Sequence, residues 1–163
     1  MELYFKEKLS FRGKVEITDA DGNVVYTGKK NLFGKLILKD AEGKKLVTIK
    51  EGQTIFTRGF YIKDGFKTVA KLKRKLSIIN QNFKIKKLDW IVKGNFLANE
   101  YTITKGDEMI AEIKKAKLIA LLETYSITVP NDENVPNVVA ISLILNQILK
   151  NKKGKLLKKV THR

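Results

Sequence analysis

The sequence predicts a mainly β protein, an antiparallel sheet folded as a small single-domain barrel around one buried helix. Three observations predict it. From Leu3 to Val129 apolar residues recur with a period of two, in short runs broken about every ten residues by Gly, Asn or Asp. Along those runs one face is apolar and the other basic, as in Val15 and Ile17 against Lys14 and Glu16, or Leu36 and Leu38 against Lys35 and Lys39. A sheet with one wet face is antiparallel and folds around something, whereas a parallel sheet is covered on both sides. After Pro130 comes a stretch that is hydrophobic nearly all round, and such a helix must be buried.

Twelve strands are expected, near Leu3–Lys8, Lys14–Thr18, Val24–Gly28, Lys35–Lys39, Leu46–Lys50, Ile55–Ile62, Thr68–Arg74, Asn82–Lys87, Trp90–Phe96, Tyr101–Thr104, Met109–Lys115 and Glu123–Val129. Two similar segments, Asp19-Ala20-Asp21-Gly22 and Asp40-Ala41-Glu42-Gly43, read as hairpin loops. The aspartate opens each turn by bonding its own backbone, and the glycine takes the left-handed position that closes it. Lys105-Gly106-Asp107 makes another turn.

The helix is expected over Val135–Leu149. Asn131-Asp132-Glu133-Asn134 supplies N-cap residues, and Pro136 suits a first turn. Ten of its fifteen positions are Val, Ile, Leu or Ala, with Val138, Ile141, Leu145 and Ile148 on one face and Val139, Leu143, Ile144 and Leu149 around the rest. At about 1.5 Å per residue the segment spans roughly 22 Å, short of a hydrocarbon core of about 30 Å. Asn137, Ser142, Asn146 and Gln147 add polar cost. A core plug is therefore expected, and no transmembrane span. Residues 1–150 form the barrel domain, and 151–163 are read as a flexible basic tail.

The chain has 163 residues, enough for one domain with a substantial core. With no cysteine, disulfides, thiolate nucleophiles and sulfur-based zinc sites are excluded, and a reducing compartment is expected. The opening Met-Glu-Leu-Tyr-Phe-Lys-Glu-Lys has no apolar h-region, so it does not read as a secretory signal and a cytoplasmic monomer is expected. Thirty-three Lys and Arg against seventeen Asp and Glu give a net charge of +16. That charge reads equally as a contact for phosphates or anionic membranes and as a compositional bias that keeps a β protein soluble.

Twelve strands followed by one hydrophobic helix resemble the LURP-one-related family. The run from Asp19 through Gly22, Asn23-Val24-Val25-Tyr26-Thr27-Gly28-Lys29, and then Leu36-Ile37-Leu38-Lys39-Asp40-Ala41-Glu42-Gly43, is similar to the family's opening hairpins. Asp89-Trp90-Ile91-Val92-Lys93-Gly94-Asn95-Phe96, followed by Tyr101-Thr102-Ile103, is similar to its middle. The resemblance covers about Tyr4 to Leu149 and departs at the helix end, where Asn146-Gln147 stand in place of an acidic residue. It implies the tubby-like fold, a closed barrel of twelve antiparallel strands around a central C-terminal helix. It brings no catalytic motif. Through the wider superfamily it implies an association with phosphoinositide binding (the tubby proteins) and with the phospholipid scramblases, which is analogy from fold alone.

Catalytic chemistry is sparse. The single histidine, His162, stands one residue from the end in the basic segment, so no histidine-based triad or metal site is expected. Gly28 and Gly34 with Lys35 are superficially a phosphate loop, but five residues separate the glycines and Leu36 stands where Ser or Thr must hold magnesium. Arg58-Gly59-Phe60 begins like an RNA-binding motif that the next residues abandon. The Asp19/Asp21 pair fits a turn better than calcium. Among carboxylates, Asp107-Glu108, and Glu112 with Glu123, stand in no recognisable frame, and Glu123 is expected to need a structural partner. We therefore expect no enzyme, no cofactor and no metal.

A function can live in the basic clusters. Lys67, Lys71, Lys73 and Lys75 alternate onto one face of their strand, and a neighbouring strand carrying Lys84 and Lys86 would complete one patch. These six are the candidate ligand-binding residues, for an anionic membrane surface or a phosphorylated ligand. The same patch with Tyr4, Phe11, Phe66 and Trp90 as stacking platforms is the nucleic-acid alternative, and a scaffold without a charged ligand is a third.

Overall fold

A computed structural model of the chain describes residues 1–6, 14–53, 58–73, 82–95, 98, 100–116 and 124–160, with the backbone path alone at 6, 53, 58, 83 and 149–160. It holds twelve strands: β1 (Glu2–Lys6), β2 (Lys14–Thr18), β3 (Val24–Lys30), β4 (Leu36–Asp40), β5 (Lys45–Gln53), β6 (Arg58–Asp64), β7 (Lys67–Lys73), β8 (Asn82–Ile85), β9 (Trp90–Asn95), β10 (Glu100–Lys105), β11 (Glu108–Ala116) and β12 (Thr124–Thr128). A 3-10 turn, Asp132–Asn134, leads into helix α1, Val135–Val160. Every expected strand is present, with ends that move by a few residues.

All strands pair antiparallel in the order β7-β6-β5-β4-β3-β2-β1-β12-β11-β10-β9-β8. Among the described residues the two outer strands meet through one bridge, in which the backbones of Lys71 and Lys86 exchange hydrogen bonds of 3.2 and 3.1 Å. The sheet is thus a nearly closed barrel whose seam lies between β7 and β8.

The hairpins at one end follow the turn chemistry expected of them. Asp19 Oδ1 accepts from the backbone N–H of Asp21 and Asn23 at 3.0 and 2.9 Å, and Asp40 Oδ1 accepts from Lys44 N–H at 2.8 Å. Gly22 and Gly43 sit at φ 87° and 85°, where a Cβ is disfavoured. In β2–β3, β4–β5, β6–β7 and β10–β11 the register slips by one residue beside the turn, the bulge that accompanies a left-handed closing residue.

Strand alternation divides the connections between two ends. At the first end the segments joining β2–β3, β4–β5, β6–β7, β8–β9, β10–β11 and β12–α1, with the strand residues beside them, carry Asp19, Asp21, Asp40, Glu42, Asp64, Asp89, Asp107, Glu108, Asp132 and Glu133, ten of the seventeen acids, against Lys44, Lys45, Lys67, Lys86, Lys87 and Lys105. At the other end the described hairpin is β3–β4, flanked by Lys29, Lys30 and Lys35.

The helix enters by the acidic end. Asn131 Oδ1 accepts from Glu133 N–H at 3.1 Å, and the N–H of Val129 bonds Met1 O at 2.9 Å, which seats the turn at the rim. Val135, Val138 to Leu145 and Ile148 are then buried against the inward residues of the wall, among them Leu3, Ile17, Leu36, Ile62, Val92, Ile113 and Ile127. Phe5 and Tyr125 stack with ring centroids 5.3 Å apart. The buried part of the helix reaches Ile148, one residue from the expected core helix end, and the helical backbone path runs on to Val160. Lysine and leucine are good helix formers, and cations suit a helix C-terminus, so nothing but Gly154 opposes propagation.

Candidate functional site

The barrel turns its lysines outward because period-two alternation sends Ile49, Phe60, Ile62, Ala70 and Leu72 in. On the outside of β5, β6 and β7 this leaves a depression of about 300 Å³ lined by Lys50, Gly52, Tyr61, Lys63, Thr68 and Lys71. The register sets Lys50 opposite Tyr61, Tyr61 opposite Lys71, and Lys71 opposite Lys86, so four residues form a row across β5, β6, β7 and the residue that follows β8. The Lys71 ammonium lies 5.7 Å from the centre of the Tyr61 ring. That ring lies against Gly52: a Cβ there would stand 2.5 Å from Tyr61 Cε2, so glycine is what lets the ring floor the depression. Among the described residues no carboxylate lies within ion-pairing distance of Lys50, Lys63, Lys71 or Lys86.

The six lysines singled out from the sequence fall into three groups. Lys71 and Lys86 meet at the seam, and the register they set brings exposed Lys73 level with exposed Lys84. Lys84 is tied to Asp89 at 2.8 Å, and that bond and charge hold the Asp89 carboxyl below the usual carboxylate range. Lys67 stands apart, at the acidic end across from Asp64. Lys75 lies outside the described residues. Sequence reasoning missed Lys50, Gly52 and Tyr61, whose only signal was a glycine inside a strand, which marks a close approach.

A second depression, of about 550 Å³, lies over β9, β10 and β11, lined in part by Lys93, Gly94, Glu100, Thr102, Glu112 and Lys114. Its lining mixes Lys93, Lys114 and Lys115 with Glu100 and Glu112, and Lys114 pairs with Glu112 at 2.9 Å. Inside the wall behind it, Tyr101 is hydrogen-bonded to Ser142 of α1, whose hydroxyl donates to Val138 O at 2.9 Å, and burial pushes the phenol up.

Of the proposed stacking aromatics, Trp90 is buried, Tyr4 half-buried and Phe66 exposed at the acidic end, while Phe11 lies outside the described residues, as does Glu123. Among the described residues no three His, Cys, Asp or Glu side chains gather as metal ligands, and no helix is long and apolar enough to cross a membrane.

A sequence profile described as LURP-one-related matches residues 1–146. The Bacillus subtilis (strain 168) protein YxjI, itself uncharacterised, is 26% identical over 155 residues, which cover 93% of this chain and 95% of that protein. Protein LURP-one-related 15 of Arabidopsis thaliana is 23% identical over 159 residues, covering 83% and 73%. An X-ray structure of an Arabidopsis thaliana protein superposes with a TM-score of 0.61 at 19% identity, over 90% of this chain and 91% of that one, a likeness of fold.

Proposed function

The chain belongs to the LURP-one-related family, and from that premise we propose that it is a non-catalytic binding module, a cytoplasmic monomer at the periphery of a membrane. Its partner in this reading is a phosphorylated or otherwise anionic headgroup, such as a phosphoinositide, held at the seam-side depression.

One observation carries the reading: Lys50, Lys63, Lys71 and Lys86 stand together on the outer wall with no carboxylate among the described residues to neutralise them. Like charges directly opposite one another destabilise a sheet pair, and Lys71 and Lys86 are opposite at the seam. An anion between them relieves that repulsion. Each lysine near an anionic surface adds about 1 kcal/mol, so four give attachment that is measurable and salt-sensitive. The phosphoinositide-binding tubby proteins support the choice of ligand by analogy of fold only.

Vesicle flotation tests the proposal. The protein is expected to rise with vesicles containing anionic lipid at low salt and to stay behind with neutral ones, and Lys71→Glu with Lys86→Glu should abolish the difference. Equal recovery on both vesicle types overturns the reading. Oligonucleotide binding that survives moderate salt would replace the lipid by a nucleic acid.

A further inference from the structure

The two ends of the barrel differ in more than charge. At the tip of the β3–β4 hairpin, Leu32 and Phe33 are adjacent and exposed at 101% and 84%. The tip is firmly built. Asn31 Oδ1 accepts from the N–H of Phe33 and of Lys35, each at 3.0 Å, Asn31 N–H bonds Lys35 O at 2.9 Å, and Gly34 closes the turn at φ 74°. Two large apolar side chains are thereby held in solvent, flanked by Lys29, Lys30 and Lys35 with no acid between Val24 and Lys39.

The helix runs toward the same end. Having entered at the acidic rim and stayed buried to Ile148, it has crossed about 21 Å by then, at roughly 1.5 Å per residue. Its last twelve residues, 149–160, continue the helix beyond that buried stretch, and their sequence holds Lys150, Lys152, Lys153, Lys155, Lys158 and Lys159 without an acid.

We propose that this basic end docks on an anionic lipid bilayer, with Leu32 and Phe33 entering the headgroup region and the neighbouring Lys29 and Lys35 meeting the surface. Apolar tips among cations fit a bilayer interface, where rings bury and ammonium groups meet lipid phosphates. The acidic end faces away, so the molecule arrives oriented. Leu36 of β4 pairs with Ile49 of β5, so Lys50 of the depression lies one residue toward the β3–β4 hairpin from that pair. The inference rests on the anionic-headgroup reading for its choice of surface and not for its residues.

A control is built into the fold. Phe66 is as exposed as Leu32, at 104%, on the β6–β7 hairpin at the acidic end beside Asp64. The experiment uses the full chain with vesicles of phosphatidylcholine alone or mixed with phosphatidylserine. In Phe33→Trp the added indole should shift to the blue and be quenched by lipids brominated on their chains, on the mixed vesicles only, whereas Phe66→Trp should not respond. Trp90, at 3% exposure, supplies a constant background. Leu32→Ser with Phe33→Ser should weaken recovery about tenfold. If the unaltered protein floats with anionic vesicles but Phe33→Trp stays silent, the docking end is overturned and the headgroup reading survives. A blue shift in Phe33→Trp together with undiminished flotation of Lys71→Glu/Lys86→Glu overturns the headgroup site alone. No flotation at all overturns both.

Discussion

The two depressions on the barrel wall are made the same way and do opposite things with charge. The larger, over β9 to β11, sets Lys93, Lys114 and Lys115 among Glu100 and Glu112 and closes part of its charge in an ion pair. The smaller, over β5 to β7, gathers three lysines around a tyrosine with no acid in its lining. Alternation alone would line both with outward polar residues. The difference lies in which polar residues the register places side by side. The larger depression has acids among its lysines, and the smaller has none in its lining.

The largest effect expected from breaking this contrast is at Gly94. With φ 148°, and with a Cβ there standing 2.4 Å from Glu100 O and 2.6 Å from Tyr101 Cα, Gly94→Ala must push two backbones apart. It should lower unfolding free energy by about 2–4 kcal/mol in urea titration. Gly52→Ala meets only the movable Tyr61 ring, so it should cost less stability while displacing the floor of the smaller depression. Next comes charge reversal: Lys71→Glu should weaken anionic-vesicle binding by roughly tenfold at low salt, and Lys114→Glu should leave it within error. Equal losses would erase the distinction between the two depressions.

Behind the larger depression, Tyr101→Phe removes the hydroxyl bonded to Ser142 and should cost about 1 kcal/mol, read as a shift in urea midpoint with binding unchanged. The smallest effect is at the edge of the lysine group. Asp89→Asn frees Lys84 and should raise anionic affinity by a small factor. It also has a pH signature. The Asp89 carboxyl is held low in the folded state, so the stability it contributes is present above the ordinary carboxylate pKa and is lost as pH falls through the lowered value. In Asp89→Asn that part of the acid limb should flatten.

Much of the architecture was legible because its causes are local. A period of two predicts a strand wherever it occurs, Asp19 and Asp40 bond backbone within four residues of themselves, and an all-round apolar segment must be buried whatever surrounds it. The candidate site was legible only in part. Lys71, Lys73, Lys84 and Lys86 were readable as outward lysines, yet Lys67 shares their alternation and lies at the far end beside Asp64. The buried length of the helix was legible because its apolar run stops at Leu149, while lysine, a good helix former, carries the helical backbone farther.

By itself, then, the sequence determined the elements, their turns, the wet and dry faces and the presence of a plug. Only the tertiary structure decided that Lys71 faces Lys86 across a seam, that Lys50 and Tyr61 join them, and that one end of the barrel is acidic while apolar side chains crown a lysine-flanked hairpin at the other. The reason is register. Four bulges each offset a hairpin by one residue, a slip of one reverses every face, and which side chains meet at the closure depends on the sum of those offsets around twelve strands, a quantity no single segment contains.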